Sequence, residues 1–269
     1  MYDFQSAVTI AADRIRTRWS VIFKGSSYHN GFMRWSLVFI FNLVLAVTAT
    51  GSEIKTLNEA IPFLNQHLDL FDNKTIYCSC SIRQQTVDLK SCGYKVQGDR
   101  RRAQTLEWEH VVPPVVFGKN FLEWRFGAEK CVKRGRKFTG RACAQTNPEF
   151  QIMESDLYNL FPELFELKWM RSTYPMATLV NSARNFGGCK VKLAEQKFQP
   201  QEASRGIVAR TYINLDRRYK DRGILNVKNR KLMEEWNQKY PVTPLECKRW
   251  KALEEANGYR HYFMDKCGK

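Results

Sequence analysis

Eight cysteines, at positions 78, 80, 92, 131, 143, 189, 247 and 267, limit the fold of this 269-residue chain more than any other feature. An even cysteine count reads as a disulfide set when the chain matures in an oxidising compartment. The N-terminal part speaks for such a compartment. Residues 35–47 (WSLVFIFNLVLAV) are apolar apart from Ser36 and Asn42, with Met33-Arg34 before them and Thr48-Ala49-Thr50-Gly51-Ser52 after. A charged start, a short apolar core and small residues make up a secretory signal. The stretch is shorter than the roughly 20 residues that a spanning helix needs, although an uncleaved anchor is the alternative. Residues 1–32 are long, mixed and aromatic for a signal's leading segment. The expected start is therefore Met33, with 1–32 an upstream extension, 1–49 a presequence and 50–269 the mature domain. Zinc is a poor alternative for the cysteines, because Cys78-x-Cys80 lacks the usual two-residue gap and the chain has only four histidines. Up to four bridges are expected, and closeness in sequence suggests Cys131–Cys143 and Cys247–Cys267.

Charge narrows the partner. The chain carries 43 Lys and Arg against 27 Asp and Glu, a net +16. Residues 1–49 hold five of the basic and two of the acidic residues, so the mature part keeps +13. A polyanion is the natural partner of such a surface. Disorder and a multi-span membrane protein are excluded by a composition that is 43% hydrophobic and 26% charged. No long linker, repeat or low-complexity tract divides the chain, which suits a single mixed α+β domain. Residues 56–72 have helical spacing, with Leu57, Ile61, Leu64 and Leu68 on one face. Short strands and turns are expected from Tyr77 to Cys92, and a strand from Leu106 to Val112 running into Pro113-Pro114. Leu157 to Leu167, after Ser155-Asp156, reads as a capped helix despite Pro162. Residues 226–239 and 244–257 read as two more helices.

Chemistry concentrates in two segments. In Leu106-Glu107-Trp108-Glu109-His110-Val111-Val112-Pro113, an imidazole that can take a proton near neutral pH adjoins a carboxylate that can hold a hard cation. On an extended strand the two point to opposite faces, so they share a target only if the strand ends at His110. A hydrogen-bonded structural histidine is the plainer alternative. In Met153-Glu154-Ser155-Asp156-Leu157-Tyr158-Asn159-Leu160-Phe161-Pro162, the expected helix puts Asp156 and Asn159 on one face. Asp156 suits an N-cap, and Asn159 suits either a turn or a neutral oxygen ligand to a cation.

Taken together, Trp108 to Pro113, Phe117-Gly118 and Asp156-Leu157-Tyr158-Asn159-Leu160-x-Pro162 resemble the bacterial endonuclease I family of periplasmic and secreted nucleases. The resemblance continues through Gly188-Cys189, Ser204 to Tyr212, Tyr240-Pro241-Val242-Thr243 and Glu246-Cys247, covering roughly residues 70–267. It implies a disulfide-bridged ββα-metal (His-Me finger) core, with a strand carrying the histidine and a helix carrying a metal ligand. His110 would be the general base, while Glu109 and Asn159 would hold one Mg²⁺ otherwise coordinated by water and phosphate, with Mn²⁺ or Ca²⁺ as substitutes. The products would end in 5′-phosphate and 3′-hydroxyl. The chain departs from the family after Pro162, where small-x-Gly-x-Val-Asn-x-x-Arg-Ser-Asn is usual. Here Glu163, Phe165, Leu167, Lys168, Arg171, Ser172 and Thr173 stand in those places, so only Arg-Ser remains. Tyr158 stands where many members have His. The altered loop is expected to affect turnover and substrate preference.

Residues 119–141 carry eight basic residues against Glu123 and Glu129, and Arg100-Arg101-Arg102 precede the histidine strand. Collectively they suit contact with the phosphate backbone of DNA and RNA without base reading. Arg125, Lys133, Arg134 and Arg171 are the expected substrate contacts, and Arg136 or Arg141 the guanidinium that stabilises transition-state charge. The expected protein is a monomeric, periplasmic or secreted metal-dependent endonuclease with no stable membrane association. A secreted ribonuclease and a non-catalytic nucleic-acid binder on the same scaffold are the alternatives.

Overall fold

Every regular element is short or amphipathic, and the four disulfides compensate for small sheets. The computed structural model describes residues 53–268, which belong to one compact unit spanning Ala49–Lys269. The expected signal and upstream extension lie outside the described residues. Helix α1 (Leu57–Gln66) opens with the Glu59 carboxylate accepting the Thr56 N–H at 2.9 Å. A 3₁₀ turn, Leu68–Phe71, completes the predicted helical segment. The hairpin β1 (Ser81–Arg83) and β2 (Thr86–Asp88) follows, tied down by Cys80–Cys92 and Cys78–Cys189.

At the centre, β3 (Leu106–His110) pairs antiparallel with β6 (Leu160–Leu164), placing Trp108 opposite Pro162 and His110 opposite Leu160. Helix α2 (Arg100–Gln104) precedes β3, and between the two strands run α3 (Pro114–Gly118), α4 (Leu122–Phe126) and the basic hairpin β4 (Val132–Lys133) and β5 (Arg136–Lys137). Next come α5 (Arg141–Ala144) and α6 (Pro148–Glu154). Cys131–Cys143 ties the basic hairpin to α5. After β6 the chain enters α7 (Phe165–Arg171), then the hairpin β7 (Lys192–Ala194) and β8 (Lys197–Gln199). Three helices close the domain: α8 (Glu202–Arg218), α9 (Val227–Lys239) and α10 (Pro244–Asn257), with Cys247–Cys267 pinning the C-terminal segment to α10. No cysteine is free.

The predicted helix over Leu157–Leu167 is corrected: Leu160–Leu164 is a strand, and the helix begins only at Phe165. All five residues of β6 are buried, so the run lacks the alternation that marks a half-exposed strand. Pro162 would break a helix, yet it fits a two-stranded ribbon where each strand has a side free of ladder bonds. Asn159 therefore stands in the turn before β6, on neither a helix nor a face shared with Asp156.

The core joins this ribbon to the helices through Leu64, Trp108, Phe117, Phe150, Leu160 and Leu253. In α8, Gly206 lets the chain pass against Tyr240: a Cβ there would lie 2.8 Å from the Tyr240 backbone oxygen and 2.7 Å from Arg210. Arg210 uses that space. Its guanidinium forks onto Glu246 at 2.7 and 2.8 Å and donates to the carbonyls of Tyr240 and Pro241. Glu246 also accepts from Thr243 N–H at the start of α10. The Ser204–Tyr212 and Tyr240–Glu246 motifs thus form a clamp between helices.

Candidate active site

The ribbon ends where its backbone runs out of donors. Val111 N–H still bonds to the Asn159 carbonyl at 3.1 Å, but Pro113 has none to offer. Asn159 bridges the last rung with its side chain, accepting from Val112 N–H at 2.7 Å and donating to Val112 C=O at 2.9 Å. The amide imitates a peptide unit and fixes the turn beside His110. Asp156 anchors the other side of this turn. It accepts from Tyr158 N–H, the Asn257 amide and the Tyr219 and Tyr259 hydroxyls, while its burial pushes the carboxyl pKa up against those bonds.

Glu109 and His110 both line a cleft of about 980 Å³ that runs along all of β3, with Arg141, Lys168, Trp169 and Arg171. His110 donates from Nε2 to the Glu154 carbonyl at 2.8 Å, which leaves Nδ1 as the ring's lone-pair nitrogen. Burial, reinforced by the nearby positive charges of Arg141, Lys168 and Arg171, pushes its pKa down to about 3. The imidazole is therefore neutral at pH 7. Glu154 serves twice, since its carboxylate also pairs with Arg141 and accepts from Gln145 at 2.8 Å.

Glu109 is 3% exposed. Its Oε1 accepts from Arg171 at 2.7 Å and from the Tyr77 hydroxyl at 3.2 Å, and Oε2 has no hydrogen-bond partner among the described residues. Burial raises the carboxyl pKa, and Arg171, Lys168 and Tyr77 oppose that rise. Arg171 also donates to the His110 and Val111 carbonyls, at 3.0 and 2.7 Å. At 1% exposure Arg171 lines the floor of the cleft, paired with Glu109. Of the two guanidinium candidates, Arg141 lines the cleft with its side chain 48% exposed, whereas Arg136 stands on the exposed strand β5 and does not line it. Lys133 and Arg134 are exposed on the same hairpin, and Arg125 is exposed on α4 with its guanidinium 5.0 Å above the Phe126 ring.

Glu109 offers a hard cation a free carboxylate oxygen at the cleft, whereas Asn159 is fully buried and does not line it, although its side-chain carbonyl keeps a second lone pair beyond its bond to Val112. The described residues contain no group of three or more His, Cys, Asp or Glu that could cage a metal. Such a site suits an ion that retains water and takes phosphate oxygens. Tyr77, Glu154, Lys168 and Trp169 are members of this constellation that the sequence did not point to; only tertiary folding brings them to Glu109 and His110.

A neutral imidazole, a carboxylate with a free oxygen and a guanidinium around one open, positively charged cleft define a hydrolase of phosphate esters. The sequence matches the endonuclease I family over residues 50–267, and the chain belongs to that family. It is similar to Endonuclease-1 of Buchnera aphidicola subsp. Acyrthosiphon pisum, 34% identical over 72% of this chain and 75% of that protein. It is likewise 34% identical to an extracellular deoxyribonuclease of Aeromonas hydrophila, over 71% of this chain and 82% of the relative. A periplasmic deoxyribonuclease of the same organism is also 34% identical, over 71% and 78%. The protein is a nuclease, and membership implies a divalent metal cofactor.

Proposed function

We propose that this nuclease is a Mg²⁺-dependent endonuclease that cuts DNA, and RNA as well, with little sequence preference, leaving 5′-phosphate ends. The observation that carries the reading is the pairing of a neutral His110, its Nδ1 unbonded, with a Glu109 carboxylate whose Oε2 is unbonded in the same cleft. Glu109 and Asn159 would hold the cation, which supplies charge neutralisation at a phosphate oxygen and at the departing 3′ oxygen. His110 Nδ1 takes the proton of the attacking water. Its Nε2–H bond to Glu154 fixes the ring orientation and spreads the new positive charge onto a carbonyl. Arg141, steered by the Glu154 carboxylate, contacts the transition-state oxygens. Arg171 opposes the upward push of burial on the Glu109 carboxyl and aims it. Arg125, Lys133 and Arg134 hold flanking phosphates.

The protein works as a monomer in the periplasm or outside the cell. Four disulfides and relatives named extracellular and periplasmic deoxyribonucleases support that location. No helix among the described residues is long and apolar enough to cross a membrane. Digestion of plasmid and ribosomal RNA with and without EDTA tests the proposal. Both substrates should be cut, and EDTA should stop both reactions. Cleavage of RNA alone would favour the ribonuclease alternative, and cleavage unaffected by EDTA would remove the metal.

A further inference from the structure

Among the described tryptophans, Trp169 alone is exposed, with 68% of its surface in water. A single exposed aromatic is ordinary on a protein surface. This one stands within a pattern. In α7, Glu166, Leu167, Met170 and Arg171 are buried, which turns Phe165, Lys168 and Trp169 outward at i, i+3 and i+4. All three line the active cleft. Trp169 also lines an adjoining hollow of about 200 Å³, with Arg102 and Arg184 on its walls. Arg102 lies 4.8 Å above the Phe165 ring, and neither it nor Arg184 has a carboxylate partner among the described residues. Two carboxylates share the hollow: Asp99 caps α2 through the Arg102 N–H at 2.8 Å, and Glu166 accepts from the Tyr94 hydroxyl and the Gln97 N–H. The result is an aromatic stripe flanked by guanidinium groups without ion-pair partners among the described residues, on the face of α7 opposite the buried arginine that holds Glu109.

We propose that Trp169 is a stacking platform for an unpaired base of the substrate, with Arg102 and Arg184 on the adjacent phosphates. This rests on the nuclease cleft described above and specifies which form of nucleic acid that cleft prefers. Base stacking on an exposed ring is indifferent to base identity, because every base has a π-face. A duplex buries those faces in its own stack and offers only edges, sugars and phosphates. An indole face is therefore covered by a base only when the strand is single or locally opened.

The test uses the exported protein in EDTA, with fluorescence anisotropy of a labelled oligothymidine and of a blunt hairpin duplex. Trp169→Ala should weaken oligothymidine binding about ten-fold while changing duplex binding by less than about two-fold. Trp169→Phe should retain most of the single-strand affinity, and the indole quenching seen when the parent binds oligothymidine should be reduced in that variant. An unchanged thermal midpoint confirms that the exposed substitution leaves the fold intact. Equal weakening on both probes, weakening on the duplex alone, or no change on either would overturn the platform. If the parent itself binds neither probe, the nucleic-acid reading of the cleft fails; if the parent and Trp169→Ala bind both equally, only the platform fails.

Discussion

Two buried arginine–glutamate pairs, built from the same chemistry, are finished in opposite ways. Arg210 and Glu246 meet through one guanidinium edge, Nε and Nη2, and both carboxylate oxygens, and backbone carbonyls, Asn237 and Thr243 use most of what remains. Arg171 and Glu109 meet through one nitrogen and one oxygen. Arg171 Nε is buried without a partner, and Glu109 Oε2 is left open to the cleft. A closed pair is a structural clamp, because both carboxylate oxygens are already bonded and neither is offered to a ligand. An open pair holds a carboxylate in place without consuming it. The second arrangement costs folding free energy, and it is tolerated where a ligand completes it.

The contrast predicts that damage at the two pairs is read by different instruments. Arg210→Met strands Glu246 as an unpaired buried charge and should destabilise the protein by about 3–5 kcal/mol, as judged by denaturant midpoint, with the kcat of the folded fraction unchanged. A stable variant with poor turnover would blur the distinction between clamp and site. His110→Ala should do the reverse, cutting turnover by about two orders of magnitude or more while oligonucleotide affinity and thermal midpoint stay near the parent's. Near-normal cleavage would show that another group takes the proton. Arg171→Lys keeps the charge but loses the fork to Glu109, His110 and Val111. It should reduce metal affinity or activity by about 10–100-fold, as expected when a group that orients a ligand is lost. Smallest is the effect of Lys133→Ala with Arg134→Ala on the hairpin, where affinity should fall several-fold. The slope of log K against log salt should become shallower by about 1.8; an unchanged slope would place the phosphate path elsewhere.

Sequence reasoning reached the parts of the fold whose determinants are local. A Pro, Asn or Gly near each end marked the two C-terminal helices, and short separations marked Cys131–Cys143 and Cys247–Cys267. Cys78–Cys189 spans 111 residues and follows only from the packing of the first hairpin against a distant loop. The Leu157–Leu167 run misled because a strand buried on both faces and a buried helix share the same continuous apolar composition. At the site, Glu109 and His110 were legible as adjacent groups with complementary chemistry. Arg171 was legible only as a charge, and charged residues are ordinarily at the surface. Its burial depends on the Glu109 carboxylate and the His110 and Val111 carbonyls, which reach it on α7 from the end of β3. Glu154 was invisible as a partner for His110, since the bond goes to its backbone oxygen, which carries no residue signature.

The central claim is that Arg171 holds Glu109 so that its free oxygen receives a divalent cation beside His110. The most direct measurement is a magnesium titration of plasmid cleavage by the parent and by Glu109→Gln, both checked for folding by circular dichroism. Glu109→Gln should need at least about ten-fold more magnesium for half-maximal rate, in line with the loss of a charged ligand from a sparse set. Superimposable magnesium curves for the two proteins would contradict the assignment of Glu109 as the metal's carboxylate.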